Sequence, residues 1–262
     1  MDFFDCLFKL MICFFAGAGA GLGTGFAGMS AAGIISPLLL TFCGVPAYQA
    51  IGIGLASDVL ASAVSAWTYK KHGNLDIKNA LILLASVLSM TIVGSFVASL
   101  LPEQTMGFMS QIGLLVIGIK FLVKPGRKAG KFEDESKNKK IIKSIIGGVF
   151  VGFICGFVGA GGGMMLLFVL TSFLGYEMHM AVGTSVFIMA FTALIGGGSH
   201  FYIGGMPDVF CLVACVIFTL VWARIASVIA NKAPEKTLSR IAGAVMVVTS
   251  VVVLGFHFFG KN

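Results

Sequence analysis

The sequence is poor in charge. Only 11% of its 262 residues are Asp, Glu, Lys or Arg, whereas soluble globular domains average about 25%. Hydrophobic residues make up 58% of the chain, and its mean hydropathy is +1.00. A chain with so few charges cannot cover itself with a polar surface. This excludes a soluble globule and predicts an all-α polytopic membrane protein.

Signatures of catalysis and of cofactor binding are also lacking. The glycines at 159–163 do not continue into the Gly-Lys-Ser/Thr ending of a phosphate-binding P-loop. The sequence shows no nucleophile–base arrangement and no metal-ligand cluster, so we predict neither an enzyme nor a cofactor. Cys211 and Cys215 lie one helical turn apart and could bind a soft metal. We interpret them, like the other cysteines, as small packing residues because no further ligand is near them in sequence.

The positive charge is unevenly distributed. The net charge is +7, and nine of the eighteen Lys and Arg residues lie between Lys120 and Lys143. Most of the others lie near the ends of apolar runs. This pattern predicts membrane topology, with basic loops in the cytoplasm, in preference to a nucleic-acid partner.

Apolar runs between helix-breaking residues define ten segments in two matching halves. Gly28 and Gly159 lie 131 residues apart, and Gly44 and Gly175 have the same separation. The segments cover 3–25, 29–43, 46–67, 77–100 and 104–123, then 141–160, 164–174, 178–198, 208–230 and 236–259. A full span needs about 20 residues. Segments two and seven are shorter, so we predict about eight full spans plus two half-helices, or eight to ten membrane segments.

Loop charges predict that the two halves are inverted. The loop after segment three is basic only in the first half, and the loop after segment four is basic only in the second. The residues concerned are Lys70, Lys71 and Lys78 in the first case, and Lys232, Lys236 and Arg240 in the second. Equivalent loops therefore face opposite sides. We expect repeats at 1–123 and 141–262, a cytoplasmic linker at 124–140 and outer termini. Segments two and seven either cross or re-enter.

Two glycine-rich breaks at matching places predict a binding site. In inverted repeats such breaks are typical of the substrate site of secondary transporters. A helix that begins at mid-membrane offers free N–H groups and partial positive charge, which favours a small anion. The predicted substrate-binding residues are Gly28, Ser30 and Gly33, then Gly159, Gly161, Gly162 and Gly163, with Thr184 and Ser185 at the start of segment eight. The two hydroxyls could instead bond to their own helix.

Two charged residues lie inside apolar segments. Asp58 is in the middle of segment three on a face with Ser62 and Ser65, and its counterpart in the second half is Met189. An ionisable group at this depth predicts a function, and we assign Asp58 to proton coupling. The alternative is a protonated Asp bonded to a neighbouring helix. Arg224 could contact the anion, pair with Asp58 or snorkel to the cytoplasmic interface.

The chain resembles the TauE/SafE sulfite-exporter family over nearly its whole length. The resemblance rests on the run Gly-Phe-Val-Gly-Ala-Gly-Gly-Gly at 156–163, the apolar half-helix after it, the run Ala-Val-Gly-Thr-Ser at 181–185 and Pro234-Glu235. The first half departs from this pattern at 30–33 and 52–54. The resemblance implies a bacterial-type inner-membrane transporter of small sulfur anions, organosulfonates or related carboxylates.

We therefore predict a multi-pass protein of the bacterial inner membrane that exports sulfite, a sulfonate or another small anion. Rocking of the two halves would give alternating access. The expected partners are this anion and the lipid bilayer, without nucleic acid, and the contiguous small residues would permit a homodimer. Two alternatives remain. One is a cation or metal-ion transporter that uses Asp58, and the other is a non-transporting membrane assembly factor whose breaks only pack helices.

Overall fold

The computed structural model describes residues 3–98, 112, 115–125, 137–158 and 162–259, and within these residues it is helical with no strand. Most helix boundaries lie within a few residues of the predicted segments, although α6 already begins at Lys137, inside the predicted linker. The helices are α1 (Phe3–Ala27), α2 (Ala32–Cys43), α3 (Ala47–Lys71), α4 (Ile77–Ala98), α5 (115–123), α6 (Lys137–Val158), α7 (Gly162–Ser172), α8 (Met178–Gly204), α9 (Val209–Lys232) and α10 (Glu235–Phe259).

The turns at helix ends repeat along the chain. Gly44 follows α2 with φ 64°, and Gly175 follows α7 with φ 76°. Gly73 and Gly205, which follow α3 and α8, have φ values of 76° and 72°. Glycine suits these left-handed positions because it has no Cβ. The sequence alignment paired Gly73 with Gly204, so the structure places the extra residue of the second half before this turn.

Helix α1 packs on α9 through glycines spaced one turn apart. A Cβ built on Gly17 would lie 2.6 Å from the Cβ of Phe218, and one on Gly21 would lie 2.6 Å from the carbonyl oxygen of Thr219. Gly25 continues the row. The absence of side chains lets the two backbones approach closely, as small residues commonly do between membrane helices. The glycines of segment one therefore serve helix packing, as the sequence indicated.

The second half repeats this contact between α6 and α4. Gly148 and Gly152 lie 131 residues after the first two glycines of the α1 row. A Cβ on Gly148 would lie 2.6 Å from the Cβ of Ser86, and one on Gly152 would lie 2.8 Å from the Cα of Val87. Ser86 and Val87 in turn precede the α9 contact residues by 132 positions. The first helix of each half thus packs on the fourth helix of the other half.

Helices α3 and α8, which are counterparts, pack directly on one another. A Cβ on Gly52 would lie 2.6 Å from Cε1 of Phe201 and 3.6 Å from the Cβ of His200. A Cβ on Gly183 would lie 2.8 Å from the Cβ of Tyr69. Gly183 and His200 are the counterparts of Gly52 and Tyr69, 131 residues on. The two helices therefore run antiparallel and contact each other through equivalent positions.

Five of the described helices are long and apolar enough to cross a membrane: α1, α3, α4, α8 and α9. Helices α2 and α7 are apolar but have only 12 and 11 residues. At about 1.5 Å per residue each covers roughly half of a hydrocarbon core about 30 Å thick. The fold is therefore an all-helical membrane bundle with two half-length helices.

The glycine row can be tested by adding a single methyl group. In Gly21→Ala the new Cβ would meet backbone atoms of α9, which cannot move like a side chain, so we expect a loss of about 1–3 kcal/mol in stability. The measurement is the melting temperature of the detergent-solubilised protein. The control is Gly198→Ala in α8, where a Cβ would have no atom within 4 Å. Equal melting temperatures for the two variants would contradict this account of the α1–α9 interface.

Candidate functional site

The two glycine-rich breaks meet inside the bundle. Gly28 follows α1 with φ 60°, and Gly163 lies in the first turn of α7. A Cβ on Gly163 would overlap the carbonyl oxygen of Gly28. Gly162 begins α7, whereas Gly159 and Gly161 lie outside the described residues. The breaks in the two halves, 131 residues apart in sequence, thus contribute to one place in the structure.

The N-terminus of α2 is occupied by the carboxylate of Asp58 from α3. This side chain is 1% exposed. It accepts a hydrogen bond from Ser62 Oγ at 2.9 Å, and it is further bonded by the Ser30 hydroxyl and the backbone N–H of Ala31. An acceptor at this position satisfies helix N–H groups that lack a partner within the helix, and its negative charge complements the helix dipole.

The N-terminus of α7 has a different neighbour. Met189 of α8, the counterpart of Asp58, packs against Gly163, where a Cβ would overlap its Sδ atom. Met189 is buried. A thioether carries no charge and is only a weak acceptor. The two half-helix ends, which the sequence predicted to be equivalent, therefore differ in electrostatics. The end of α2 faces a carboxylate and the end of α7 faces a neutral sulfur.

The two predicted hydroxyl residues of α8 face different surroundings. Ser185 lies against the first break, because a Cβ on Gly28 would overlap its Oγ. Its hydroxyl donates to the carbonyl oxygen of Val182 at 2.9 Å, the bonding within one helix that was the alternative to substrate binding. Thr184 Oγ1 instead accepts from the backbone N–H of Asp76 at 3.4 Å, in the α3–α4 loop. The structure thus brings Ser185, but not Thr184, to the junction of the breaks.

Gly33 borders open space. It lies in the first turn of α2 and is only partly buried, and a Cβ at this position would have no atom within 4 Å. Ser30, by contrast, already bonds Asp58. The first break therefore combines a filled side at Ser30 with an open side at Gly33.

Arg224 lies away from the breaks. Its guanidinium donates to Thr68 Oγ1 and lies 5.3 Å from the ring centroid of Trp67. Lys71 Nζ lies 3.8 Å from the same ring centroid. Thr68 is ten residues after Asp58 on α3, a distance of about 15 Å along a helix. The structure thus groups Arg224 with the basic end of α3 and does not pair it with Asp58.

A polar cluster at this end of the bundle was not predicted from the sequence. Asp76 caps α4 by accepting from the backbone N–H of Asn79 at 3.2 Å, and it also accepts from the Tyr176 hydroxyl at 3.0 Å. Burial, together with the Asp76 carboxylate, raises the pKa of Tyr176, which keeps this hydroxyl a donor. The cluster joins the α3–α4 loop to the α7–α8 loop. Its sequence signal was weak, because the two residues are 100 positions apart.

The described residues contain no group of three or more His, Cys, Asp or Glu side chains placed to hold a metal ion. Cys13, Cys211 and Cys215 are buried among apolar residues of α1, α2, α3 and α9. They fill space between these helices, in agreement with the packing role expected from the sequence.

Interrupted helices that meet inside a membrane bundle are characteristic of secondary transporters. The family model described as "Sulfite exporter TauE/SafE" matches residues 13–253, and the chain belongs to this family. This confirms the resemblance noted in the sequence and establishes a multi-pass membrane protein.

Two relatives from Bacillus subtilis (strain 168) have names that agree with this class. "Probable membrane transporter protein YdhB" is 24% identical over 219 residues, which cover 83% of this chain and 89% of the relative. "Probable membrane transporter protein YunE" is 24% identical over 241 residues, which cover 87% and 88%. No solved structure matches the chain significantly.

The cap on α2 predicts a graded response to substitution of Asp58. Asp58→Val removes every acceptor from the buried donors of Ser30, Ala31 and Ser62, and an unsatisfied buried polar group costs about 1–3 kcal/mol. Asp58→Asn keeps one acceptor oxygen, so we expect a smaller loss. The measurement is the melting temperature of the purified variants at one pH. A Val variant as stable as the wild type would rule out a capping role for Asp58.

Proposed function

We propose that this protein is a secondary transporter that moves a small anion, such as sulfite or a sulfonate, out of the cell by alternating access. The observation that carries the proposal is the contrast at the junction of the breaks. One half-helix N-terminus is balanced by a buried carboxylate, and the other is left with a neutral thioether. An anion bound beside Gly162 and Gly163 would supply the missing negative charge.

The proposed transport cycle rests on two inverted repeats with about eight full spans and two half-helices. Antiparallel packing of the counterparts α3 and α8 supports this arrangement. If both cross the bilayer, a two-fold axis between them lies in the membrane plane. The reciprocal α1–α9 and α6–α4 contacts support the same symmetry. With basic loops inside, the linker is cytoplasmic and both termini are outside.

The moving units contain helices from both halves. Adding a Cβ to the α1–α9 or α6–α4 interface would bring it within 3 Å of the partner helix at several glycines. Close-packed contacts of this kind resist separation. Rocking of residues 1–123 against 141–262 as blocks would break both interfaces, so the block motion expected from the sequence is replaced by motion of mixed units.

Asp58 is proposed to couple transport to protons. An ionised Asp58 has already bonded Ser30, Ser62 and Ala31 and holds the positive end of α2. When Asp58 binds a proton, one oxygen becomes a donor, and the carboxyl can no longer accept from all of these groups. The N-terminus of α2 then becomes available to the anion. Proton and anion binding would thus favour each other, as co-transport of the two requires.

The cation alternative has less support at Asp58. A cation site needs several oxygen acceptors around the ion. The contacts of Asp58 are instead hydrogen-bond donors, and the N–H of Ala31 can only donate. This observation favours the anion proposal.

The substrate class can be tested by thermal stability of the purified protein with sulfite, sulfate, thiosulfate, sulfoacetate, taurine and acetate. A ligand at 100 times its Kd stabilises the folded state by about 2.7 kcal/mol. We expect one sulfur anion to raise the melting temperature selectively. Gly163→Ala and Ser185→Ala should reduce the shift, whereas Gly33→Ala, the matched control with open space around it, should retain it.

Other outcomes of this panel would favour the alternatives. A shift with a cation that is lost in Asp58→Ala would favour the cation transporter. A flat response to every ion would favour the assembly factor. A sulfur-anion shift that Gly33→Ala abolishes while Gly163→Ala retains it would move the site from α7 to α2.

Proton coupling can be tested in proteoliposomes with the anion that the panel identifies. We expect wild-type transport to accelerate under an imposed pH gradient, and Asp58→Asn to lose this acceleration because it cannot exchange a proton. Ser57→Ala is the control, since the buried Ser57 hydroxyl bonds only to Ile53 of its own helix at 2.9 Å. Normal transport by Asp58→Asn with an unchanged pH profile would eliminate the coupling role.

A further inference from the structure

A cavity of about 290 Å³ opens where α5 and α7 end and α10 begins. Its lining includes Lys120 and Lys124 of α5, Ser172 of α7 and Glu235 of α10. The residues come from both halves of the chain. The cavity lies beside the basic linker, at the end of the bundle that the loop charges assign to the cytoplasm. Helix ends lie here, so the cavity is at the level of the lipid headgroups.

The charges of the lining favour an anion. Lys120 and Lys124 are four residues apart and therefore lie on one face of α5. Lys120 Nζ already donates to Ser172 Oγ at 2.7 Å and lies 4.3 Å from the ring centroid of Phe168, which holds the ammonium at the wall. The acidic residue of the lining, Glu235, accepts from the backbone N–H of Met178 at 3.0 Å.

Apolar surface continues from the lysines toward the membrane interior. Ile119, Leu122 and Val123 of α5 are 46%, 36% and 70% exposed, and Phe173 beside Ser172 is 50% exposed. A soluble anion would use only the cationic end of this surface. A phospholipid would use both parts, with its phosphate at the lysines and its acyl chains along the apolar side chains.

We propose that this cavity binds the phosphate headgroup of an anionic phospholipid in the cytoplasmic leaflet. Basic pockets between membrane helices on the cytoplasmic side have the chemistry that recognises such headgroups. The bound lipid bridges α5 of the first half to α7 and α10 of the second. The proposal rests on the cavity and on the membrane topology and is independent of the transported substrate.

The test compares lipids that differ only in headgroup. Wild-type protein in detergent is titrated with dioleoyl-phosphatidylglycerol or dioleoyl-phosphatidylcholine, and bound lipid is counted by native mass spectrometry alongside the melting temperature. Each lysine near an anionic headgroup contributes about fivefold to affinity. We expect selective retention of phosphatidylglycerol, a loss of roughly fivefold in Lys124→Gln and a larger loss in the Lys120→Gln/Lys124→Gln variant.

The matched control is the Lys70→Gln/Lys78→Gln variant, which removes the same charge from the same predicted side but outside the cavity. It should bind phosphatidylglycerol like the wild type. Equal losses in the control and cavity variants would overturn the proposal in favour of non-specific attraction. A melting shift reproduced by inorganic phosphate or glycerol phosphate alone would overturn the lipid assignment in favour of a soluble anion. Lys124→Gln keeps the test valid if the double variant does not fold.

Discussion

The structure depends on satisfying the backbone groups that two helix breaks release inside the membrane. Free N–H groups at this depth are costly unless protein or a water-filled cavity serves them. At α2 the partner is Asp58, a buried carboxylate from the next helix. At α7 the equivalent position is Met189, which cannot replace that charge. The asymmetry between two otherwise equivalent helix ends is what gives the proposed site a preference for an anion.

A second constraint is the close packing of glycine rows between the halves. Glycines at equivalent positions of α1 and α6 admit backbone atoms of α9 and α4, respectively. Each half is thus incomplete without the fourth helix of the other. This interlocking explains how short, interrupted helices can be held at mid-membrane, because the long helices around them form a frame that does not depend on the breaks. It also means that conformational change must occur between units that combine both halves.

Much of the fold could be predicted because its signals are local. Apolar runs between glycine and proline gave helix positions close to those observed, including the half-length α2 and α7. The repeat was readable because duplicated glycines recur at a fixed offset. The pairing of Gly73 with Gly204 was one residue off, because sequence similarity alone does not reveal which glycine adopts a left-handed turn. The predicted site residues then separated in space: Gly28, Gly163 and Ser185 meet, whereas Thr184 and Arg224 lie toward the basic end.

The sequence by itself determined the membrane class, the duplication, the location of the breaks and the family, since all of these are written in composition, period and short motifs. Only the tertiary structure decided which side chains serve the breaks. The contact of Asp58 with Ser30 and Ala31 joins α3 to the start of α2, and its meaning depends on the distance and direction of a carboxylate that hydropathy does not encode. The same holds for the link between Asp76 and Tyr176, a pair 100 residues apart that the packing of two loops brings within hydrogen-bonding distance.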